Sequence, residues 1–520
     1  MKKFTCAFLS LLLILSLALV PVCAGDATPT TVGYSADLVE EVDLTSVPEI
    51  TAVTDFSTAT EVKITNAAGM QKLAEVVNGG NNFLNKTVYL ETDINMSSVT
   101  DWTPIGDNSG GVWSNSSDPS FRGTFDGQGH AIKNLKVNSE EEANFVCVGI
   151  FGKLYNGTIK NLVIDETCSF AYSGGWTTAR TAALVAFMFN SNQVVNTIYN
   201  VQNNAAVTAN AGHVGGLVAT GATWYGAGAN AITNCTNTGN ITATGTAWAH
   251  GATTYDSTDS TSMGATAGGF VGNLVRGTVS IVNCNNTGAI SAAGYAGGMI
   301  AGETGDETIT VQGCVNCGSV TGLVAGGMIG EWHNGGNAVS GCTNTGKITA
   351  TDADTGSAGQ IIGIVTSGGT GNVSGNTEAV DSVKVLGYQK AKDVTTKGDA
   401  SYRSVRLVGA LNPGEEELSE FDLVGLEITV TYTKDGETVT KNLKGSCVTV
   451  YKSLSGMDNT QDNPDPLMKE EGEYYFAVVL ENIPTALENV KLSITPYFME
   501  GTTTVYGFTA HATVSVAAAN

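Results

Sequence analysis

The sequence predicts an all-β protein: a parallel β-solenoid closed at its N-terminal end by a short helix, followed by a small antiparallel β-sandwich. Three observations carry that expectation. A Gly-Gly-aliphatic motif recurs across the middle of the chain, a cysteine-bearing motif recurs in step with it, and from residue 403 the repeat gives way to long alternating strands.

The chain begins Met1-Lys2-Lys3, continues through an apolar stretch from Phe8 to Val20, and reaches Val22-Cys23-Ala24 before Gly25. A short positive segment, an apolar run too short to span a bilayer comfortably, and small residues before a cut after Ala24 read as a signal peptide over 1–24. Pro21 and Val22 fit a lipidation box at Cys23 poorly. The chain ends Val516-Ala517-Ala518-Ala519-Asn520, which supports no covalent wall sorting. Residues 25–60 show no sustained period and read as a linker. Next, Asn66 precedes Met70, Leu73, Ala74, Val76 and Val77, with Gly79-Gly80 after them; this is an amphipathic helix with a cap at each end, suited to cover an open sheet edge.

The solenoid is expected over 61–385. The second residues of the motifs Val148-Gly149-Ile150-Phe151, Ala182-Ala183-Leu184-Val185, Gly215-Gly216-Leu217-Val218, Gly268-Gly269-Phe270-Val271, Gly297-Gly298-Met299-Ile300, Gly326-Gly327-Met328-Ile329 and Gly359-Gln360-Ile361-Ile362 are spaced by 34, 33, 53, 29, 29 and 33. A unit of roughly 30 residues with short strands cannot bury its own apolar face, so neighbours must stack. Paired glycines allow a tight corner, and Asn-Thr-Gly reads as a turn. The interval of 53 predicts an insertion, placed at 244–264. Within each repeat a polar residue and a cysteine precede the turn, as in Asn234-Cys235, Asn283-Cys284 and Gly341-Cys342. Cys314 holds this place in a degenerate copy, Val201 in an earlier one and Asn376 in the last. Stacking then makes Cys235, Cys284, Cys314 and Cys342 an inward ladder of packed thiols. The pair Cys314 and Cys317 forms a CxxC without a matching partner, a weak signal for zinc.

Residues 386–402 read as a second linker and 403–520 as the sandwich. Leu426 to Thr433, Asp435-Gly436 and Glu437 to Leu443 form a hairpin pattern, and Glu473 to Leu480, Val490 to Thr495 and Val505 to Val516 add strands.

With 49 acidic and 25 basic residues the formal net charge is −24. That charge repels nucleic acid and anionic membrane, so neither is expected as a partner, and no membrane insertion is expected once the signal peptide is cut. Few charges and many hydroxyls and amides suit an extracellular β-protein.

Several segments resemble the GLUG-repeat surface proteins of bacteria over roughly residues 60–380. They are Asp101-Trp102-Thr103-Pro104-Ile105-Gly106, Phe121-Arg122-Gly123-Thr124-Phe125-Asp126-Gly127-Gln128-Gly129-His130, Ile132-Lys133-Asn134-Leu135, and the Gly-Gly and Asn-Cys copies. The resemblance implies a right-handed parallel β-helix on an exported, adhesin-like protein, and an Ig-like C-terminal domain.

The chemistry of a β-helix enzyme needs carboxylates clustered on one face of consecutive coils. Glu303, Asp306, Glu307 and Glu331 are the nearest candidates, but Glu303 stands five residues after its repeat's second glycine-site residue and Glu331 four. Asp126-Gly127-Gln128-Gly129-His130 reads as a tight corner, and Asp352-Ala353-Asp354 as a solvated turn instead of a calcium loop. No catalytic residue, metal site or cofactor is assigned. Aromatic residues in polar loops are more suggestive, since an exposed ring is a stacking platform for sugars or an anchor for protein. Trp176, Trp224, Tyr225, Trp248 and Trp332 are the candidate ligand-binding residues. The expected function is a secreted or non-covalently surface-associated, non-catalytic protein that binds an extracellular glycan or a host or bacterial surface protein. The rival readings are a polysaccharide-degrading enzyme and a structural display stalk.

Overall fold

A computed structural model describes residues 32–107, 119–143, 146–190, 195–223, 229–247, 263–303, 307–333, 336–365, 372–390, 395–397, 400–412, 423–434, 437–447, 474–487, 490–500 and 503–515. The chain divides into two compact units, with the boundary between Thr377 and Glu378.

The first unit is a parallel β-helix. One coil passes through four sheets, as Thr158–Ile164, Ser169–Tyr172, Arg180–Ala182 and Val185–Asn190 show; these are called faces 1 to 4. Successive coils pair in parallel and in register, so equivalent side chains stack. On face 1 one inward rung runs Val62, Val88, Phe125, Ile159, Ile198, Ile232, Ile281, Val311, Val339 and Val373. Val373, the last rung described, is 49% exposed, whereas Ile232 and Ile281 are fully buried. Each internal rung is therefore covered by coils on both sides.

The helix Ala67–Asn78 forms as its sequence indicates. Asn66 Oδ1 accepts the Gly69 N–H at 3.1 Å, and Met70, Leu73, Ala74 and Val77 are buried in the core at the N-terminal end of the stack.

Two further ladders hold each coil's shape. Within face 1, Asn161, Asn200, Asn234, Asn283, Gly313, Gly341 and Gly375 all have φ between +52° and +63°. Asparagine and glycine are the residues that adopt this left-handed conformation at low cost. The residue that follows points inward, and in four coils it is cysteine. The N–H groups of Val201, Cys235 and Cys284 donate to the sulfurs of Cys235, Cys284 and Cys314, each at 3.4 Å, and Cys342 N–H donates to Asn376 Oδ1 at 2.8 Å. The thiols are free and packed, and burial pushes Cys284 well above the usual thiol range.

Asn-Thr-Gly, expected to be an exposed turn, instead sends its asparagine inside. Nδ2 of Asn203, Asn237, Asn286 and Asn316 donates to Oδ1 of the next asparagine at 2.7–2.8 Å. The other Nδ2 proton goes to the carbonyl two residues on, such as Gly288 O at 3.0 Å for Asn286. Asn344 ends the ladder on Gln360 Oε1 at 2.6 Å. The glycine pairs meet this ladder directly: a Cβ on Gly269 would strike Gly298 O and approach Asn286 Oδ1 at 3.0 Å. Close approach, not left-handed backbone, is what requires glycine there.

The segment from 25 to 60 is not a linker where it is described. Gly33 N–H donates to Asn283 O at 2.7 Å, Tyr34 N–H to Thr236 Oγ1 at 2.9 Å, Ser35 N–H to Asn200 Oδ1 at 2.8 Å and Val42 N–H to Gln128 Oε1 at 3.0 Å. The strap runs from coil to coil, across the strands, and delivers Ile50, fully buried, to the core. Its bonds go to corner asparagines and turn groups, which demand no apolar period of the strap itself. The insertion begins as expected. Ile241–Ala247 runs past the length of its neighbours and pairs antiparallel with Met263–Gly264.

The second unit contains β1 (Val383–Lys390), β2 (Thr395–Lys397), β3 (Ala400–Leu411), β4 (Leu423–Lys434), β5 (Glu437–Cys447), β6 (Tyr474–Pro484), β7 (Val490–Glu500), β8 (Thr503–Tyr506) and β9 (Ala510–Val514). One antiparallel sheet places β3 between β6 and the pair β1 and β2. The other runs β5, β4, β7, with β8 and β9 on the far side of β7. Leu407, Phe476, Leu426 and Ile494 from both sheets share one core. Residues 386–402, expected as a linker, carry most of β1 and all of β2, because Val383 and Leu386 are buried against β3 and its neighbours.

Replacing Asn286 by Leu removes one acceptor and two donated bonds, and it strands the partner groups on Asn237, Asn316 and Gly288. At about 1–3 kcal/mol for each buried orphan, the variant is expected to lose roughly 3 kcal/mol or more. Urea denaturation followed by circular dichroism checks this; Thr287→Ala on the same turn is expected to change little.

Candidate functional site

The glycine corner joins face 3 to face 4, and the outward side chains next to it form two rows. Three residues before the second glycine-site residue stand Arg180, His213, Thr266, Tyr295, Val324 and Ser357, with Cys147 paired to Arg180 in the preceding coil. Four residues after it stand Lys153, Phe187, Thr220, Asn273, Gly302, Glu331 and Ile364. The two rows touch across the corner. Arg180 lies 4.0 Å over the Phe187 ring, Thr266 Oγ1 donates to Gly272 O at 2.9 Å, and Ser357 Oγ donates to Gly363 O at 2.7 Å. A Cβ on Gly302 would meet the Tyr295 ring at 3.2 Å.

The inward positions of these coils repeat, while the corner positions change from coil to coil. They are also buried: Lys153, Arg180, His213, Thr220, Thr266, Asn273 and Glu331 all lie at 4% exposure or less. Toward the N-terminal coils the corner is an aromatic and cationic stack, with Arg122 4.6 Å over Tyr155 and Lys153 Nζ 5.3 Å from the Phe189 ring. Toward the C-terminal coils it is acidic, and burial together with the Glu331 carboxylate pushes the Tyr295 phenol up to about 12.

Between these lie His213, Thr220, Thr266 and Asn273. Thr266 gives its single hydroxyl proton to Gly272 O, so the 2.9 Å contact with His213 Nδ1 must have the imidazole as donor. In the neutral ring this is the Nδ1–H tautomer, with Nε2 as acceptor. Burial, aided by the Arg180 guanidinium, lowers the His213 pKa to about 3. Among the described residues, Thr220 Oγ1 and both polar atoms of Asn273 have no hydrogen-bond partner. Each such buried group costs about 1–3 kcal/mol, and the same row holds phenylalanine in one coil and isoleucine in another. The fold therefore does not demand polarity at these two places.

The sequence-derived candidates distribute differently. Trp332 is not in a loop: it ends the strand Ile329–Trp332, is 2% exposed, and belongs to the solenoid core. Its register places it on the inward rung of Leu274 and Glu303, and only its polar neighbours made the segment resemble a loop. Trp176 lies in the connection between faces 2 and 3. It is half-buried against the core, and its N–H donates to Tyr172 Oη at 3.0 Å. Trp224, Tyr225 and Trp248 lie outside the described residues.

The acidic candidates separate in the same way. Glu303, five residues after its glycine, shares the inward rung with Leu274; its Oε1 accepts from Asn337 Nδ2 at 3.0 Å and from the His333 N–H. Glu331, four residues after its glycine, faces the corner. The two carboxylates project to opposite sides of face 4 and do not share a cleft; Asp306 lies outside the described residues. Asp126 makes turn chemistry: it accepts from Gln128 N–H at 3.0 Å and Asn161 Nδ2 at 3.1 Å, and pairs with Lys160 at 3.0 Å. Asp352 likewise caps its own turn, accepting the N–H groups of Asp354 and Thr355, and these bonds lower its pKa. In the CxxC, Cys314 is interior while Cys317 accepts from Thr345 Oγ1 at 3.3 Å. Among the described residues no three His, Cys, Asp or Glu side chains converge on a metal position.

The corner rows escaped sequence reasoning, although their offsets from the glycine pair were readable. No family model, curated protein or solved structure matches this chain.

His213 makes stability pH-dependent. Its folded pKa lies below the unfolded value near 6.5, so the unfolded chain binds the extra proton between pH 6.5 and about 3. Its contribution is fully present above pH 6.5 and falls by about 1.4 kcal/mol per pH unit as the pH is lowered through that window. Denaturant midpoints at pH 7 and pH 5 are expected to show this decline in the parent protein, and a shallower one in His213→Gln.

Proposed function

We propose that this is an exported, non-catalytic binding protein of the adhesin-like kind that its repeats resemble, and that it takes an extracellular glycan or a surface protein of a host or another bacterium. The observation that carries the reading is the contrast at the corner. The asparagine ladder and the aliphatic rung of face 1 keep their residue type over most coils, while the outward rows pass from Lys and Arg through His, Thr and Asn to Tyr and Glu. A scaffold that repeats internally and varies along one side suits recognition of an extended ligand across several coils.

Two further points support binding over hydrolysis. Glu303 and Glu331 face opposite sides of their sheet, so neither has the other as an acid–base partner. Trp176, half-buried in the connection between faces 2 and 3, adds an aromatic ring of the kind that stacks on sugars.

The purified secreted chain, applied to a glycan array and a panel of host and bacterial surface proteins, is expected to retain a discrete set of ligands. Trp176→Ala is expected to weaken them at least fivefold with an unchanged circular dichroism spectrum. Release of products from an acidic or neutral polysaccharide would overturn the proposal in favour of an enzyme. Blank arrays would overturn it in favour of a display stalk.

A further inference from the structure

The second unit contains a cavity of about 110 Å³ between its two sheets, where β5 and β6 stand at the sheet edges. Ile428, Val430, Leu443, Val478 and Ile483 line it, and most of its wall is apolar. A Cβ on Gly445 would strike Val478 Cγ1, so glycine lets the two edges close at one end of the cavity.

The register places one cation on the inner face. Residues directly opposite in an antiparallel pair project to the same side. Val430 faces Lys441, and Ile428 faces Leu443, so Lys441 shares the core side with Val430 and Leu443. The opposite side carries Glu427 with Lys444, and Thr429 with Asn442. Lys444 is engaged there: its Nζ is 2.7 Å from Glu427 Oε1 and 4.4 Å from the Tyr497 ring centre. Lys441 is half-buried and has no ion pair among the described residues. Glu481 also borders the cavity.

An inward lysine on an edge strand discourages edge-to-edge association. That role needs no hollow beneath it. A largely apolar chamber with the Lys441 ammonium on its core side, Lys444 being held by Glu427, matches a molecule with an alkyl tail and one negative head. We infer that the cavity between β5 and β6 is a binding site for a short-chain monocarboxylate, with the tail among Val430, Leu443 and Val478 and the carboxylate on Lys441. A cavity of about 150 Å³ holds benzene, so this one accommodates a tail of roughly five carbons.

The test uses the full secreted chain, labelled at valine and leucine methyls and titrated with butanoate, hexanoate and decanoate. Hexanoate is expected to shift the methyl signals of Val430, Leu443 and Val478 in a saturable way and to bind more tightly than butanoate. Lys441→Gln is expected to weaken hexanoate at least fivefold while leaving 1-hexanol unaffected, and Val478→Met, which fills the chamber, to weaken both. Three results would overturn the inference. They are no saturable shift with hexanoate, equal affinity for hexanoate and 1-hexanol in the parent chain, or Lys441→Gln that dimerises but binds hexanoate as before.

Discussion

The constraint on which the β-helix depends is the buried asparagine ladder. Asn203, Asn237, Asn286 and Asn316 each need an acceptor from the next coil and a carbonyl from their own, and both are met only if the coils stack in strict register. A slip of one residue would strand buried amides at about 1–3 kcal/mol each. The glycine pairs follow from the same geometry, because Gly216, Gly269, Gly298 and Gly327 pack directly against these side chains. The thiol ladder and the left-handed asparagine or glycine before it complete a cross-section that repeats because each part fixes its neighbour. The strap from Gly33 to Val42 binds groups in several coils at once and ties them together from outside.

That internal rigidity leaves the outside free. The corner rows contribute little that the fold needs, as Phe187, Gly302 and Ile364 in the same row as Lys153 and Glu331 demonstrate. Polar groups there carry a stability cost, most plainly at Thr220 and Asn273, and a lasting cost without structural return is the physical mark of a position kept for another purpose. The neutral His213 between them shows how far that environment departs from water. The reading of function rests on this contrast between the repeated asparagine and aliphatic ladders inside and the varied corner.

Much of the scaffold was legible in the sequence because stacking imposes its own repetition. Equivalent rungs need like residues, so Cys235, Cys284, Cys314 and Cys342, with Val201 and Asn376 at the ends, could be aligned by eye. The helix after Asn66 was legible because caps and an apolar stripe are local signals. What escaped was whatever depends on register instead of neighbours in sequence. Asn237 and its equivalents follow turn rules locally yet point inward, and Trp332 sits among polar residues yet falls on the rung of Leu274. The strap has no period, since its partners are main-chain and amide groups of distant coils. The strands within 386–402 were hidden for a similar reason: their pairing with β3 is long in sequence and their apolar pattern is short. The corner site was present as two fixed offsets from the glycines, a signal that acquires meaning only once those offsets are known to face each other.

The central claim, that the inside of the β-helix is dictated and its corner is not, is tested most directly by saturation substitution at two sets of positions with folding scored by protease resistance. The account predicts that Asn237, Asn286 and Asn316 tolerate almost no replacement, whereas Thr220 and Asn273 accept valine or leucine with equal or greater resistance. If Thr220 and Asn273 prove as intolerant as the ladder asparagines, their polarity belongs to the fold and the account is contradicted.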